Sequence, residues 1–174
     1  MHDLMNLPGR RERCTLFRMK TNPSPTSSIH IREARSEDAS VIVRLIRQMA
    51  AEDEEQSPLD EEYVRGYLSG ADRHILLAQT GEEVNGLLSY SIRADLFHAG
   101  NSLLIEELVV DEAHRGQGLG ARLMDALLER AQDVQCREVC LAVMPGNERA
   151  IRFYKRHGLM EEALFLERHF TIGR

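Results

Sequence analysis

A chain of 174 residues, 43% hydrophobic and 29% charged, reads as one globular domain, long enough to bury about 68–70% of its unfolded surface. Its net charge of −6 argues against nucleic acid as the main partner. Three cysteines (Cys14, Cys136, Cys140) contain no C-x-x-C pair and make no disulfide framework, which together with the lack of a signal-peptide pattern fits a reducing cytoplasm. No apolar run reaches the ~20 residues that span a bilayer, so no membrane partner is expected.

Residues 1–28 hold five basic and two acidic residues, so the remainder carries −9 of the total −6. They end in "TNPSPTSS" and show no apolar period, the pattern of a disordered basic arm or linker. Met19 offers an alternative start. The domain is expected over 29–174.

In chain order, "IHIREA" (29–34) alternates as a strand. Ser36 is placed to cap a helix to about Ala51, with Val41, Leu45, Ile46 and Met49 on one face. An acidic connection leads to a short helix over about 60–68. "HILLAQ" and Val84–Arg93, joined by "TGEE", form a hairpin. Ser102–Val110 is the fourth strand, followed by a glycine-rich loop and a helix to about Val134 with Leu119, Leu123, Leu127 and Ala131 on one face. Arg137–Met144 is a strand, Asn147 caps a helix to about His157, and "GLMEEALFLERHF" is expected to add one or two strands. The order β-α-α-β-β-β-α-β-α-β(β) predicts an α/β (α+β) fold: a mixed sheet with helices on both faces.

The stretch "VVDEAHRGQGLGARLM" joins a strand to a helix through Gly116, Gly118 and Gly120, with no Ser, Thr, Asp or Asn at the cap position. Each glycine inside a helix costs about 1 kcal/mol against alanine. A strand, a glycine turn and a helix N-terminus make an anion site, because the first N–H groups lack partners and the dipole adds roughly +0.5 charge. A phosphate would then replace the missing cap. The spacing is neither that of a Walker loop nor that of the dinucleotide fingerprint. A turn that merely packs a helix onto a sheet is the alternative.

"LVVDEAHRGQGLGARLM" also resembles the acetyl-CoA-binding motif of the GNAT acetyltransferase superfamily, with Arg115, Gly118 and Gly120 at its [RQ]-x-x-G-x-[GA] core. "NERAIRFYKRHGL" resembles the family's second motif through Asn147, Ala150, Tyr154, Gly158 and Leu159. The likeness spans roughly 29–170. It implies an acetyl-CoA-dependent N-acetyltransferase whose fourth and fifth strands splay apart around the thioester. It implies that Leu108, Val109 and Val110 align the pantetheine arm. The pyrophosphate would lie on Gly116, Gln117, Gly118, Leu119, Gly120 and Ala121, with Arg115 and Arg122 free either to balance its charge or to be solvated. It also implies that Asn147 touches the cofactor besides capping its helix, and leaves Arg149, Arg152 and Lys155 open as contacts for the outer phosphate.

For the chemistry, Tyr154 is the candidate acid, against a core reading from its i, i+3, i+4, i+7 stripe. A tyrosine near 10 donating to a thiolate near 8.5 is uphill by only about 2 kcal/mol. Glu106 and Glu107 interrupt "LLIEELVV". Strict alternation puts Glu106 with Leu104, Leu108 and Val110 and puts Glu107 with Ile105 and Val109, each buried among apolar neighbours. Glu106 is the candidate base, two positions before the cofactor trio as in diamine acetyltransferases; Glu107 reads as a structural partner. Leu108 N–H is the candidate oxyanion donor. The histidines form no ligand-spaced pair and no metal is expected; His98 lies in a loop before the fourth strand. Seven carboxylates between Glu52 and Glu62 form either an acidic rim drawing a cationic amine or a solvated run. A small-molecule amine is the expected acceptor. A protein N-acetyltransferase and a non-catalytic acetyl-CoA sensor remain the other readings, and a homodimer is left open.

Overall fold

Apolar residues at strand and helix periods divide this chain into one sheet with two covered faces. The computed structural model describes residues 28–170; the basic arm 1–27, with Met19 and Cys14, lies outside them. The elements are β1 (Ile29–Glu33), α1 (Ala39–Glu52), α2 (Glu61–Leu68), β2 (Arg73–Thr80), β3 (Glu83–Asp95), β4 (Gly100–Val110), α3 (Leu119–Asp133), β5 (Cys136–Leu141) and α4 (Glu148–Arg156). The five strands lie in sequence order. All pairings are antiparallel except β4 with β5, which is parallel. The mixed α/β sheet expected from the sequence is present. Among the described residues no helix is long and apolar enough to cross a membrane.

On one face Leu119, Leu123, Met124 and Leu127 of α3 close over Leu76, Leu88, Tyr90, Leu103 and Ile105, with Phe153, Tyr154 and Leu159 at the margin. On the other, Ile42 and Leu45 of α1 and Val64 of α2 cover Leu77, Leu87 and Val109. The leucines among them other than the half-buried Leu159 are 0–2% exposed, each gaining about 1.5–3 kcal/mol from burial.

Two features of β4 position the site. Ser89 pairs with Glu107 and Tyr90 with Ile105, so Glu106 is the extra residue of a β-bulge. The parallel pairing with β5 ends at Ile105–Leu141, while β4 runs on to Val110. Glu106–Val110 therefore have no neighbour on the β5 side, which is the splay that the family resemblance implied.

Three expectations are corrected. Ser36 caps nothing: a 3₁₀ turn, Ser36–Asp38, precedes α1. Asp38 takes the Arg35 N–H at 2.8 Å and both arms of the Arg32 guanidinium at 2.7 and 2.8 Å. A buried bidentate ion pair outcompetes a serine hydroxyl for this corner. β5 ends at Leu141, three residues short of the expected Met144. The tail forms no strand: residues 159–170 carry no regular structure, and Leu164, Phe165 and Leu166 are exposed. The tail pairs with no strand, and β5 stays an edge that is bonded to β4 alone.

The other ends follow local chemistry. Asp60 accepts the Tyr63 N–H at 2.8 Å to start α2, and Asn147 accepts the Ala150 N–H at 3.1 Å to start α4. Gly158, at φ +90°, ends α4 with Gly158 N–H donating to the Lys155 carbonyl and Leu159 N–H to that of Tyr154, a Schellman closure.

The hydrogen bonds from Arg32 hold the Asp38 carboxyl below the usual carboxylate range against the opposing effect of burial. A depressed carboxylate adds stability that is complete above its unfolded value, about 3.9, and lost as pH falls through the lower folded value. Asp38→Asn should therefore lose stability near neutral pH and show a shallower decline below about pH 4. Urea unfolding across pH checks this; parallel curves for the two proteins would remove the pair from the acid response.

Candidate active site

The glycine loop begins where β4 ends. Asp111 accepts the Ala113 N–H at 3.1 Å and its own N–H donates to the Asn85 carbonyl at 2.8 Å. A 3₁₀ turn over Glu112–His114 follows. Gly116 and Gly118 take φ of +77° and +90°, a region costly to residues with a Cβ. Gly118 occupies the cap of α3, and no side chain bonds there. The Arg122 N–H donates to the Gly118 carbonyl at 3.0 Å as the first bond of the helix, so the N–H groups of Leu119, Gly120 and Ala121 are outside its ladder. Gly116, Gln117 and Gly118 are exposed. Gly120 has no such constraint: a Cβ there would make ordinary contacts, 3.5 Å from the Phe153 ring of α4 and 3.7 Å from Val110.

Helix α1 braces the loop with Arg44, Gln48 and Glu52, spaced one turn apart. Arg44 bonds Asp111 at 2.5 Å and the Val84 carbonyl at 3.0 Å. Gln48 donates to Glu52 at 3.0 Å, and Glu52 pairs with Arg115, whose Nε donates to the Val110 carbonyl at 3.2 Å. Burial alone would raise the Glu52 carboxyl; the hydrogen bonds from Gln48 and Arg115 outweigh it and hold it low. Glu52 is thereby withdrawn from the acidic rim, and Arg115 is engaged by Glu52 and the main chain. Arg122 is exposed and lines a cleft between β1 and α3.

Main-chain direction along the free side of β4 follows from its bonds. The Glu107 N–H reaches Ser89 Oγ on β3 at 3.1 Å. The Val109 carbonyl lies against Gly86 of β3. Alternation then turns the main-chain groups of Leu108 and Val110 away from β3, into the gap that β5 leaves. The Val109 side chain is core, and of the trio it is the main-chain groups of Leu108 and Val110 that turn toward the gap.

The bulge also corrects the reading of the two carboxylates. Past it the alternation slips: Leu103 and Ile105 share the α3 face with Leu108 and Val110. Glu106 and Glu107 both bond serines of β3 on the opposite face, Ser91 Oγ to Glu106 at 2.8 Å and Ser89 Oγ to Glu107. Glu106 is exposed instead of buried. Glu107 is the shielded one, and burial raises its carboxyl, partly opposed by Ser89. Tyr67 of α2 is pushed up to about 12, first by burial and then by the charges of Glu107 and Glu106. The Arg73 guanidinium lies 5.5 Å from its ring centre. Tyr67, Ser89 and Ser91 carried no signal in the sequence, because their meeting depends on the β3–β4 register and the bulge.

Tyr154 lies on α4, partly buried at the edge of the α3-side core, its ring edge-on to Phe153. Burial raises its phenol, and among the described residues nothing hydrogen-bonds its hydroxyl. Asn147 is the cap expected of it. Arg152 and Lys155 face Glu148 and Glu162 at 3.6 and 2.7 Å. Cys136 and Cys140 are partly buried, with thiols raised chiefly by burial. At the β3–β4 hairpin tip, Asp95, His98 and Glu138 bring ligand-type atoms within 4.8 Å of one another, and His98 Nδ1 is already 2.9 Å from Asp95.

The acetyltransferase (GNAT) family matches residues 39–159, more than half of the chain and the span of both motifs. The chain belongs to the GNAT acetyltransferase family. It is similar to thialysine N-epsilon-acetyltransferase of Mus musculus, 30% identical over 78% of this chain and 86% of that protein. L-2,4-diaminobutyric acid acetyltransferase of Streptomyces anulatus is 30% identical over 75% of each. The crystal structure of a transcriptional regulator from Bacillus halodurans C-125 superposes with a TM-score of 0.74 at 27% identity, covering 82% of this chain and all of that one. As a GNAT N-acetyltransferase, the chain presents the expected loop and helix residues, Arg115 through Ala121 and Asn147, on the expected elements. The fold sets the carboxylate pair on one face of the sheet and Tyr154 on the other, with the β4–β5 gap between.

The loop glycines should separate in stability. Gly118→Ala should cost on the order of 1–2 kcal/mol, the price of a left-handed Cβ. Gly120→Ala, whose Cβ meets only ordinary contacts, should fall well below that. Urea midpoints measure both, and equal losses would contradict the conformational account of Gly118.

Proposed function

We propose that this N-acetyltransferase uses acetyl-CoA as co-substrate and moves the acetyl group by direct attack onto a primary amine of a small cationic molecule. The observation that carries this reading is the gap beside Glu106–Val110. It opens at one end on unpartnered helix N–H groups and, across the sheet, on two carboxylates. In this reading the pyrophosphate is held by main-chain N–H groups of Gly116, Gln117, Gly118, Leu119, Gly120 and Ala121, where the α3 dipole and the absent Cβ atoms favour an anion. The pantetheine arm bonds the main chain of Leu108 and Val110, and Asn147 lines the far side. Arg115 acts by fixing the loop through Glu52 and Val110.

The thioester supplies an activated acetyl group. The chain must supply a neutral amine, charge stabilisation at the carbonyl oxygen and a proton for the leaving sulfur. An ammonium is drawn to the negative charge of the Glu106–Glu107 face. Proton transfer from an alkylammonium to an ordinary glutamate is uphill by about 8 kcal/mol. Glu106, open to solvent, takes that proton through water, while Glu107, raised by burial, narrows the gap for a proton on its own side. The amine nitrogen bonds the acyl carbon as the carbon–sulfur bond breaks. Leu108 N–H steadies the oxygen, and the Tyr154 hydroxyl gives its proton to the departing sulfur. Burial makes Tyr154 a weaker acid, but a thiol in the same dry space is raised too, so the mismatch stays small.

The acceptor class rests on the carboxylate pair and on the names of two relatives, both of which act on amino acids carrying a second amine. Release of free thiol, followed over a panel of diamines, basic amino acids, aminoglycosides and peptides, tests it. Preference for peptides would favour a protein N-acetyltransferase, and saturable binding with no turnover would favour a sensor. Tyr154→Phe should lower turnover at least tenfold, as loss of a general acid does, with acetyl-CoA affinity nearly unchanged; Gly118→Val should do the reverse. Calorimetry that finds no acetyl-CoA binding to folded protein would end the proposal.

A further inference from the structure

The end of the sheet away from the gap gathers three side chains that acetyl transfer does not use. Asp95 closes β3 and lies opposite Gly100 of β4. His98 follows in the turn. Glu138 belongs to β5, whose register sets it beside Ser102 of β4. The pairing of three strands is what brings residue 138 to residues 95 and 98, so no ligand spacing shows in chain order and the sequence alone predicts no metal. One ligand-type atom from each of the three lies within 4.8 Å of the other two. Leu108 stands roughly 26 Å along β4 from Gly100, at about 3.3 Å per residue.

Two of the three donors are already set. Asp95 Oδ1 accepts the Phe97 N–H at 2.8 Å and the His98 N–H at 3.3 Å. That leaves Oδ2 facing the His98 ring, 2.9 Å from Nδ1. Two donors held at a right angle, each about 2.1 Å from one cation, stand about this far apart. Glu138 supplies the third donor from a long, exposed side chain, so closing on a shared ion takes a rotamer change and no main-chain movement. The nearby arginines do not neutralise the carboxylates. Arg93 directs its guanidinium at Cys140 Sγ, 3.8 Å away, and Arg137 packs over Gly100. Among the described residues Asp95 is paired with His98 alone and Glu138 with no cation. A proton on His98 offsets one negative charge; a divalent cation offsets both and takes all three donors.

We propose that Asp95, His98 and Glu138 form a binding site for a divalent transition-metal ion, which ties the β3–β4 turn to the start of β5. One imidazole with two carboxylates selects zinc-like ions over magnesium and calcium, which take oxygen ligands. Water completes the coordination, since the site lies at the surface. The ion's place is structural. β5 is bonded to β4 alone, and the ion fastens it at the end of the ladder opposite the splay. The distance along β4 to Leu108 keeps the ion out of acetyl transfer, so the site stands or falls independently of the catalytic reading.

Calorimetric titration of the full chain with zinc chloride tests this. It should show one saturable site per chain of micromolar affinity, and magnesium chloride should show none. His98→Ala and Glu138→Gln should each weaken zinc binding at least about tenfold, with circular dichroism unchanged because both positions are exposed. Cys140→Ser should leave the affinity unchanged. Zinc should raise the Tm of the wild type but not that of His98→Ala, and a chelator should reverse the rise. X-ray absorption at the zinc edge needs no variant: nitrogen and oxygen neighbours at about 2.0–2.2 Å support the site, and a sulfur shell at about 2.3 Å overturns it. The proposal is equally overturned by no saturable zinc binding, by equal binding of magnesium, by a wild-type Tm that zinc does not move, by undiminished binding in either ligand variant, or by binding lost in Cys140→Ser.

Discussion

The parallel ladder between β4 and β5 runs from Asn101–Cys136 to Ile105–Leu141 and stops, while β4 continues for five residues against β3 alone. A strand buried in a sheet normally spends its main chain on two neighbours. Here one side of Glu106–Val110 is released, and the rest of the site is arranged around that release. The glycine turn starts at its end, Tyr154 approaches from the α3 face, and the carboxylates stand on the other.

The bulge at Glu106 is the second constraint. One inserted residue reverses the facing of everything after it. Leu108 and Val110 thereby join the α3-side core, and two adjacent glutamates come to share one face. Adjacent like charges on a strand face are unfavourable, and each is met by a serine hydroxyl from β3. Tyr67 registers the same cluster in its raised phenol. Stability is given up at this place to hold two carboxylates on one face, where the raised Glu107 and Tyr67 mark a candidate functional site.

The loop follows the same trade. α3 begins without a cap and with two left-handed glycines, where Ser, Thr, Asp or Asn would be more stabilising by about 1 kcal/mol. The losses are contained by bracing from α1, through Arg44 on Asp111 and Glu52 on Arg115. The loop is held by its neighbours so that its own N–H groups remain unspent.

Much of this was readable in the residues in order. Hydrophobic period set the strands and helices, and the caps at Asp60 and Asn147 act within three residues of themselves. The two motifs carried the family, because glycine spacing and a helix start are local features. What failed depended on side-chain geometry and strand pairing: Ser36 lost its corner to the Arg32–Asp38 ion pair across a tight turn, and the tail stays unpaired although β5 is an edge of the sheet. Glu106 and Glu107 are the sharpest case. By itself the sequence determined that two carboxylates interrupt a buried strand just before a phosphate-type loop. Only the tertiary structure decided which one is shielded and that both face the same way, because a bulge is a property of two strands in register and leaves no mark on one strand alone.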